Sequence, residues 1–222
     1  LLANLNSFAH VQARVKLESG ASIKDATLIL GNLDKTPFYG SIGQEYIHFG
    51  DFISDSVYTN PLTYTYFKPS SLNEVSFAGY FNDSVQIKLE TFQGEKTNSN
   101  PDLDPVQQKY SGQFAVYSNY IIPIKNISWN ISAGFLNDIR NTQSGLTDLE
   151  AVNGGKLPGI DISSLISFGN WSFGAEYNQL LKNAKDSDGT HVSDKKPAAM
   201  HFQGDYTINW KKPINIFAGY SR

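Results

Sequence analysis

Four histidines (His10, His48, His191 and His201) and a set of charged residues at alternate positions are the groups in this 222-residue chain that could do chemistry. The histidines share no metal-ligand spacing with Asp or Glu, so they read as solvated polar-face or loop residues. The "DSDG" of Asp186–Gly189 resembles the start of a calcium loop but lacks the later Glu of an EF-hand. Neither "SFGNWSFG" nor "SIGQEYIHFG" supplies the Gly-x-Ser-x-Gly spacing of a nucleophile elbow. The sequence therefore predicts no catalytic residue, no metal site and no cofactor, and the chain is not expected to be an enzyme. What remains is charge. Arg14, Lys16, Lys88, Glu90, Glu176, His201 and Asp205 each fall on the polar side of an alternating stretch. Mixed charges on one wall select a solute by its charge when that wall lines a wet path.

Those charges must be positioned by strands. In "MHFQGDYTINW", Met200 to Trp210, apolar residues and Gly204 alternate with His201, Gln203, Asp205, Thr207 and Asn209. The same period of two runs through "HVQARVKLE", "EVSFAGYF", "VQIKLETF", "ISWNISAGF" and "WSFGAEYN". Successive side chains on a strand point to opposite faces, so each stretch has one apolar and one polar face. The connections indicate which face is inside. Short turns at Leu33–Thr36, Asn82–Ser84, Lys125–Asn126, Gly169–Asn170 and Lys211–Pro213 alternate with long polar connections at 49–72, 96–108, 138–156 and 183–197. Alternating short turns and long loops mark an up-and-down barrel in an outer membrane, with the apolar face toward lipid. A soluble barrel or sandwich would carry many more Lys and Glu on its outer face. Trp129, Trp171 and Trp210 lie near short turns, as an interfacial girdle requires.

The expected fold is all-β, an antiparallel up-and-down transmembrane β-barrel forming one domain over residues 1–222 of a bacterial outer-membrane protein. Outer-membrane lipid and lipopolysaccharide are then its surroundings. About eleven strands are visible, "LLANL" is the tail of another, and even closure sets the count at twelve or more. The chain opens at Leu1 without a signal peptide and ends within the strand "IFAGYSR", so it reads as truncated. No apolar run is long enough for a transmembrane helix. A net charge of −3 gives no electrostatic reason to expect nucleic acid as a partner.

The connection 49–72 is too aromatic for a free external loop. Its Asp51, Phe52, Asp55, Tyr58, Tyr64 and Tyr66 are expected to fold into the mouth as a constriction or plug. A second reading makes "LTYTYF" a short strand at the rim. Ser132 is expected to point into open water. Arg14, Lys16 and Lys88 would attract an anionic ferric siderophore, with Arg14 able to grip a carboxylate bidentately. Glu176, Asp205 and His201 would instead favour a metal cation.

The stretch Asp25 to Phe52, with its "LGNLDKTPFY" turn, "IGQEY" strand and "FG-x-F" exit, followed by "NPLT" at Asn60–Thr63, resembles the LbtU-type siderophore porin family. That family includes relatives of the FslE and FupA iron-uptake proteins of Francisella. The resemblance implies an outer-membrane barrel that imports iron, as ferric siderophore or ferrous ion, without the amino-terminal plug of TonB-dependent receptors. Two other readings stay open on the residues alone: a general diffusion porin for small hydrophilic solutes, and a structural or adhesive barrel acting through its loops.

Overall fold

A computed structural model of the chain describes residues 2–16, 22–52, 61–81, 84–96, 108–142, 144–146, 149–186, 196–208 and 214–222. The strands in chain order are β1 (Leu2–Asn4), β2 (Ala9–Lys16), β3 (Ser22–Gly31), β4 (Phe38–Tyr46), β5 (Ser71–Phe81), β6 (Val85–Lys96) and β7 (Gln108–Ile124). Then follow β8 (Ile127–Leu136), β9 (Leu149–Ala151), β10 (Gly159–Phe168), β11 (Trp171–Leu180), β12 (Ala184–Asp186), β13 (Ala198–Ile208) and β14 (Ile214–Ser221). Twelve of them form a single antiparallel sheet in the order β1-β2-β3-β4-β5-β6-β7-β8-β10-β11-β13-β14. Apart from the short β9 and β12, each strand thus pairs with the next along the chain, the topology of an up-and-down β-barrel wall. β1 and β14 stand at the two edges of that sheet and are not paired with each other, so the wall as described is not closed.

Local chemistry sets the short turns. Asn32 organises the first, its Oδ1 accepting from Asp34 N–H at 3.1 Å and its carbonyl from Lys35 N–H at 2.9 Å. Asn126 (φ 62°) and Gly169 (φ 56°) turn the β7–β8 and β10–β11 hairpins in the left-handed region that Asn and Gly tolerate. The turns expected at Asn82–Ser84 and Lys211–Pro213 fall wholly or partly outside the described residues.

The wall is turned inside out relative to a soluble protein. On β5 and β6, Phe77 is 54% and Leu89 49% exposed, whereas Lys88 and Glu90 are 2% and 3% exposed. Val75, Ile162 and Phe202 share the outer face, while Glu74, Ser163, Glu176, His201 and Gln203 are buried inside. Burying charges while exposing Phe and Leu is stable only where the outer medium is itself apolar, as for the band of a transmembrane barrel. At the short-turn end the rings of Phe168, Trp171, Phe173 and Tyr206 stack along the β10–β11–β13 wall, Trp171 and Tyr206 with centroids 4.5 Å apart. Trp129 donates its indole N–H to Ser164 Oγ at 2.9 Å, also on the outer face. Trp210 lies outside the described residues.

The long connections depart from the sequence expectation of open polar loops. Ile139–Asn141 forms a 3-10 turn capped by Asp138, whose carboxylate also pairs with Arg140 at 2.7 Å. β9 and β12 pair with each other as a small second sheet, joining the connection after β8 to the one after β11. "LTYTYF" does not make a rim strand. Thr63–Phe67 winds into a single π-helical turn, because that puts Thr63 and Phe67 inside together, both buried. Around it an apolar core of Phe49, Phe52, Phe67, Leu136, Ile139, Leu157 and Leu180 fills the barrel mouth at the long-connection end.

If the outer face meets lipid, Leu89→Arg should cost about 2–4 kcal/mol of folding free energy in a bilayer. Gln12→Arg, in an exposed position lining an inner cavity, should cost much less. Denaturant titration in lipid vesicles measures both, and equal costs would reverse the assignment of faces.

Candidate functional site

After β4 the chain does not leave the barrel. Residues Ile47–Phe52 turn inward and lie along the polar faces of β7, β8, β10 and β11. Two glycines permit this approach. A Cβ on Gly134 would collide with the carbonyl oxygen of Phe49, and one on Gly50 would sit 2.5 Å from Asp161 Cγ. Asp51 then meets three hydroxyls: Tyr117 donates to Oδ1 at 2.5 Å, while Ser132 and Ser163 each stand 2.8 Å from Oδ2. Ser132 and Ser163 are also 2.6 Å from each other. A serine has one hydroxyl hydrogen, so these three oxygens hold at most two hydrogen bonds at a time. One residue further on, Phe52 adopts φ 49°, an uncommon conformation for a bulky side chain. Its N–H donates to Glu176 Oε1 at 3.0 Å, and its ring lies 6.3 Å from Phe49 and 6.5 Å from Tyr64.

Beneath this segment sits an acidic group. Asp161 on β10 faces Asn178 on β11, and Glu176 faces Ser163, so Asp161 and Glu176 are diagonal neighbours on the inner face. The charged groups acting on Asp161 are Glu176 and Asp51, both acidic. Thr63, from the helical turn, and Asn178 adjoin Glu176.

A second cluster lies on the β4–β6 side. Lys88 Nζ is 2.6 Å from Glu90, 3.6 Å from Glu74 and 3.5 Å from Glu45. His48 donates its backbone N–H to Glu90 Oε2 at 2.7 Å, and its Nδ1 lies 2.8 Å from Oε1 and 3.0 Å from Lys88 Nζ. Nδ1 can accept from Lys88 when neutral or donate to Glu90 when protonated, but cannot do both. A cavity of about 670 Å³ leads from the Asn32–Asp34 turn past Tyr39 and Tyr80 to Glu45, His48 and Lys88.

The sequence-derived residues divide accordingly. Lys88 cannot be the free cation that draws an anion, because three carboxylates surround it, and Glu90 is fully engaged beside it. Glu176 is buried under the inward segment. His201 contacts Ser221 Oγ at 2.8 Å and Gln203 Oε1 at 3.1 Å, and Gln203 donates to Asp205 at 3.2 Å, a separate polar row on β13 and β14. Arg14 and Lys16 stand opposite Asp25 and Ser22 in the β2–β3 ladder, with a register shift after Arg14; their side chains are not among those described. Asp51 and Phe52 lie in the narrowed mouth. Asp55 and Tyr58 fall outside the described residues. Tyr64 is half-buried, with Lys68 Nζ 4.0 Å from its ring centroid. Tyr66 is exposed at 43%, because the helical turn points it away from the core it was expected to join. Ser132, expected in open water, is 1% exposed under Asp51. Asp161 went unremarked although "GIDISSLISF" alternates, which places Asp161 and Ser163 on one face. Among the described residues no three acidic or histidine side chains converge as a metal-binding group by themselves.

No family model matches the chain. It is 24% identical over 203 residues to the UPF0422 protein of Coxiella burnetii (strain RSA 493 / Nine Mile phase I), a match covering 88% of this chain and 42% of that protein. The chain therefore spans less than half the length of that relative. Among solved structures it is similar in outline to a loop-deletion mutant of OmpT, an outer membrane protein of Vibrio cholerae, at TM-score 0.47, 12% identity and 99% coverage of this chain against 82% of the other. In-vitro folded OmpT gives a TM-score of 0.45 at 12% identity, over 99% of this chain and 76% of that one.

The expectation that the chain is not an enzyme does not stand. It rested on the lack of a linear motif. The fold instead gathers adjoining carboxyls at Asp161 and Glu176 and a His48–Glu90 pair, groups of the kind that perform general acid–base work, from strands far apart in sequence.

Gly134→Ala should displace the inward segment and cost about 1–3 kcal/mol, as overpacking does. Gly204→Ala, whose added Cβ meets only the Phe173 ring at 3.4 Å, should cost clearly less. Equilibrium unfolding of the two variants compares them.

Proposed function

We propose that this chain forms part of a bacterial outer-membrane, porin-like barrel that imports iron, and that it favours ferrous ion over an anionic ferric siderophore. The observation that carries this reading is the sign of the interior. Among the described side chains, Glu45, Glu74 and Glu90 share the ammonium of Lys88, while Asp51, Asp161 and Glu176 form a second acidic group without one. In a low-dielectric wall such an excess of carboxylates concentrates cations and repels anions. The apolar outer face supports the membrane setting. The resemblance at Asp25–Phe52 supports iron as the solute. The packed mouth weighs against a wide general-diffusion pore, since an open path needs more room than the apolar core around Phe49 and Phe67 leaves.

Two measurements test this reading. In planar bilayers under a salt gradient, the reversal potential should show cation preference, reduced in the Glu45→Gln/Asp51→Asn double variant. In cells lacking the protein, uptake of radiolabelled ferrous iron should fall while ferric-siderophore uptake holds. Anion preference, or loss of siderophore uptake alone, would overturn the proposal.

A further inference from the structure

The acidic group under the inward segment carries more unpartnered oxygen than any other part of the described interior. Both carboxylate oxygens of Asp161, Oε2 of Glu176, Oγ1 of Thr63 and Oδ1 of Asn178 are buried with no partner in good hydrogen-bond geometry, although Asp161, Thr63 and Asn178 all stand close enough to act on Glu176. Thr63 and Asn178 are each 0% exposed, Asp161 1% and Glu176 2%. The cluster on the β4–β6 side is built differently, because there Lys88 neutralises its carboxylates. Among the described residues no ion pair joins Asp161 or Glu176 to a Lys or Arg.

A single proton shared between two carboxyls would satisfy one oxygen of each. It would leave the second Asp161 oxygen, Thr63 Oγ1 and Asn178 Oδ1 as they are. A cation answers these oxygens together, whereas the Asn178 amide nitrogen, a donor, is no ligand for it. Two carboxylates balance a divalent charge, and the Asn carbonyl and Thr hydroxyl add neutral oxygens. An all-oxygen donor set with no imidazole or thiolate suits a hard cation, and a carboxylate able to bind through both oxygens suits Ca2+ better than the strictly octahedral Mg2+. Phe52 N–H already occupies Glu176 Oε1, leaving Oε2 for the ion.

We propose that Asp161, Glu176, Asn178 and Thr63 form a calcium site that ties the helical turn and the inward segment to the barrel wall. Its donors come from β10, β11 and the Thr63–Phe67 turn, so occupancy fixes the mouth's contents to the wall. The inference holds whichever solute the barrel carries.

Equilibrium binding of radiolabelled Ca2+ to the purified, detergent-folded full chain, freed of lipopolysaccharide, tests it. One saturable site per chain is expected, weakened at least about tenfold in Glu176→Gln and in Asn178→Leu. Glu150→Gln, on β9, should bind as the wild type does. Ca2+ should also raise the temperature of heat-modified migration by about 5 °C over chelator in the wild type, and not in Asn178→Leu. Absence of saturable binding to the folded wild type overturns the site. So does undiminished binding in both variants. A wild type indifferent to Ca2+, alongside a Glu176→Gln variant of equal or greater stability, would assign the cluster to a shared proton instead.

Discussion

The contact on which the interior depends is the Asp51 carboxylate against the hydroxyls of Tyr117, Ser132 and Ser163. Three neighbouring strands, β7, β8 and β10, each present one hydroxyl to a residue on a segment that has just left β4. A wall whose apolar face is spent on lipid has only its polar face for packing anything inside, so the grip on an internal segment has to be polar. A carboxylate holding several hydroxyls is among the stronger neutral-donor arrangements available, because hydrogen bonds to a charged group contribute roughly twice what neutral ones do. The glycines at 50 and 134 and the left-handed backbone at Phe52 follow from that grip, since each lets the chain come close enough to reach it.

The same inversion decides how the interior handles charge. Buried charges are tolerated only when paired, and Lys88 with its three carboxylates obeys that rule. The acidic members outnumber it nonetheless. Residues placed to keep a wall wet would balance in sign. Among the described inner side chains the signs do not balance, and Asp51, Asp161 and Glu176 lie beside the apolar core around Phe49 and Phe52.

The wall was legible in the sequence because a strand between lipid and a polar interior keeps a clean period of two. The alternations around Val75, Leu89, Phe173 and Phe202 point outward as their spacing says, and twelve strands match the floor set by counting. The short turns were legible from Asn and Gly. The site was not, because its contacts join residues remote in sequence: Asp51 to Tyr117 spans 66 positions, Asp51 to Ser163 spans 112, and Phe52 to Glu176 spans 124. Alternation places Lys88 inside but cannot say that Glu74 and Glu45 from two other strands neutralise it. Nor can it say that "TYTYF" winds up, since a residue alternation of Thr and aromatics fits a strand until the burial of Thr63 and Phe67 on one side selects a turn.

Tyr117 joins the two halves of the interior. Its ring lies 5.9 Å from His48 while its hydroxyl holds Asp51. The inward segment is therefore pinned at both ends, at His48 by Glu90 and at Asp51–Phe52 by the hydroxyls and Glu176, with a buried aromatic ring between the two anchors. The cavity from the short-turn end reaches His48 and Lys88 and so ends against the first anchor. A cation arriving there meets Glu90 already shared between Lys88 and His48, and it can gain that carboxylate only by weakening the hold on the segment's first residues. Under the proposed reading, selection by charge would thus draw on the same side chain that anchors the inward segment.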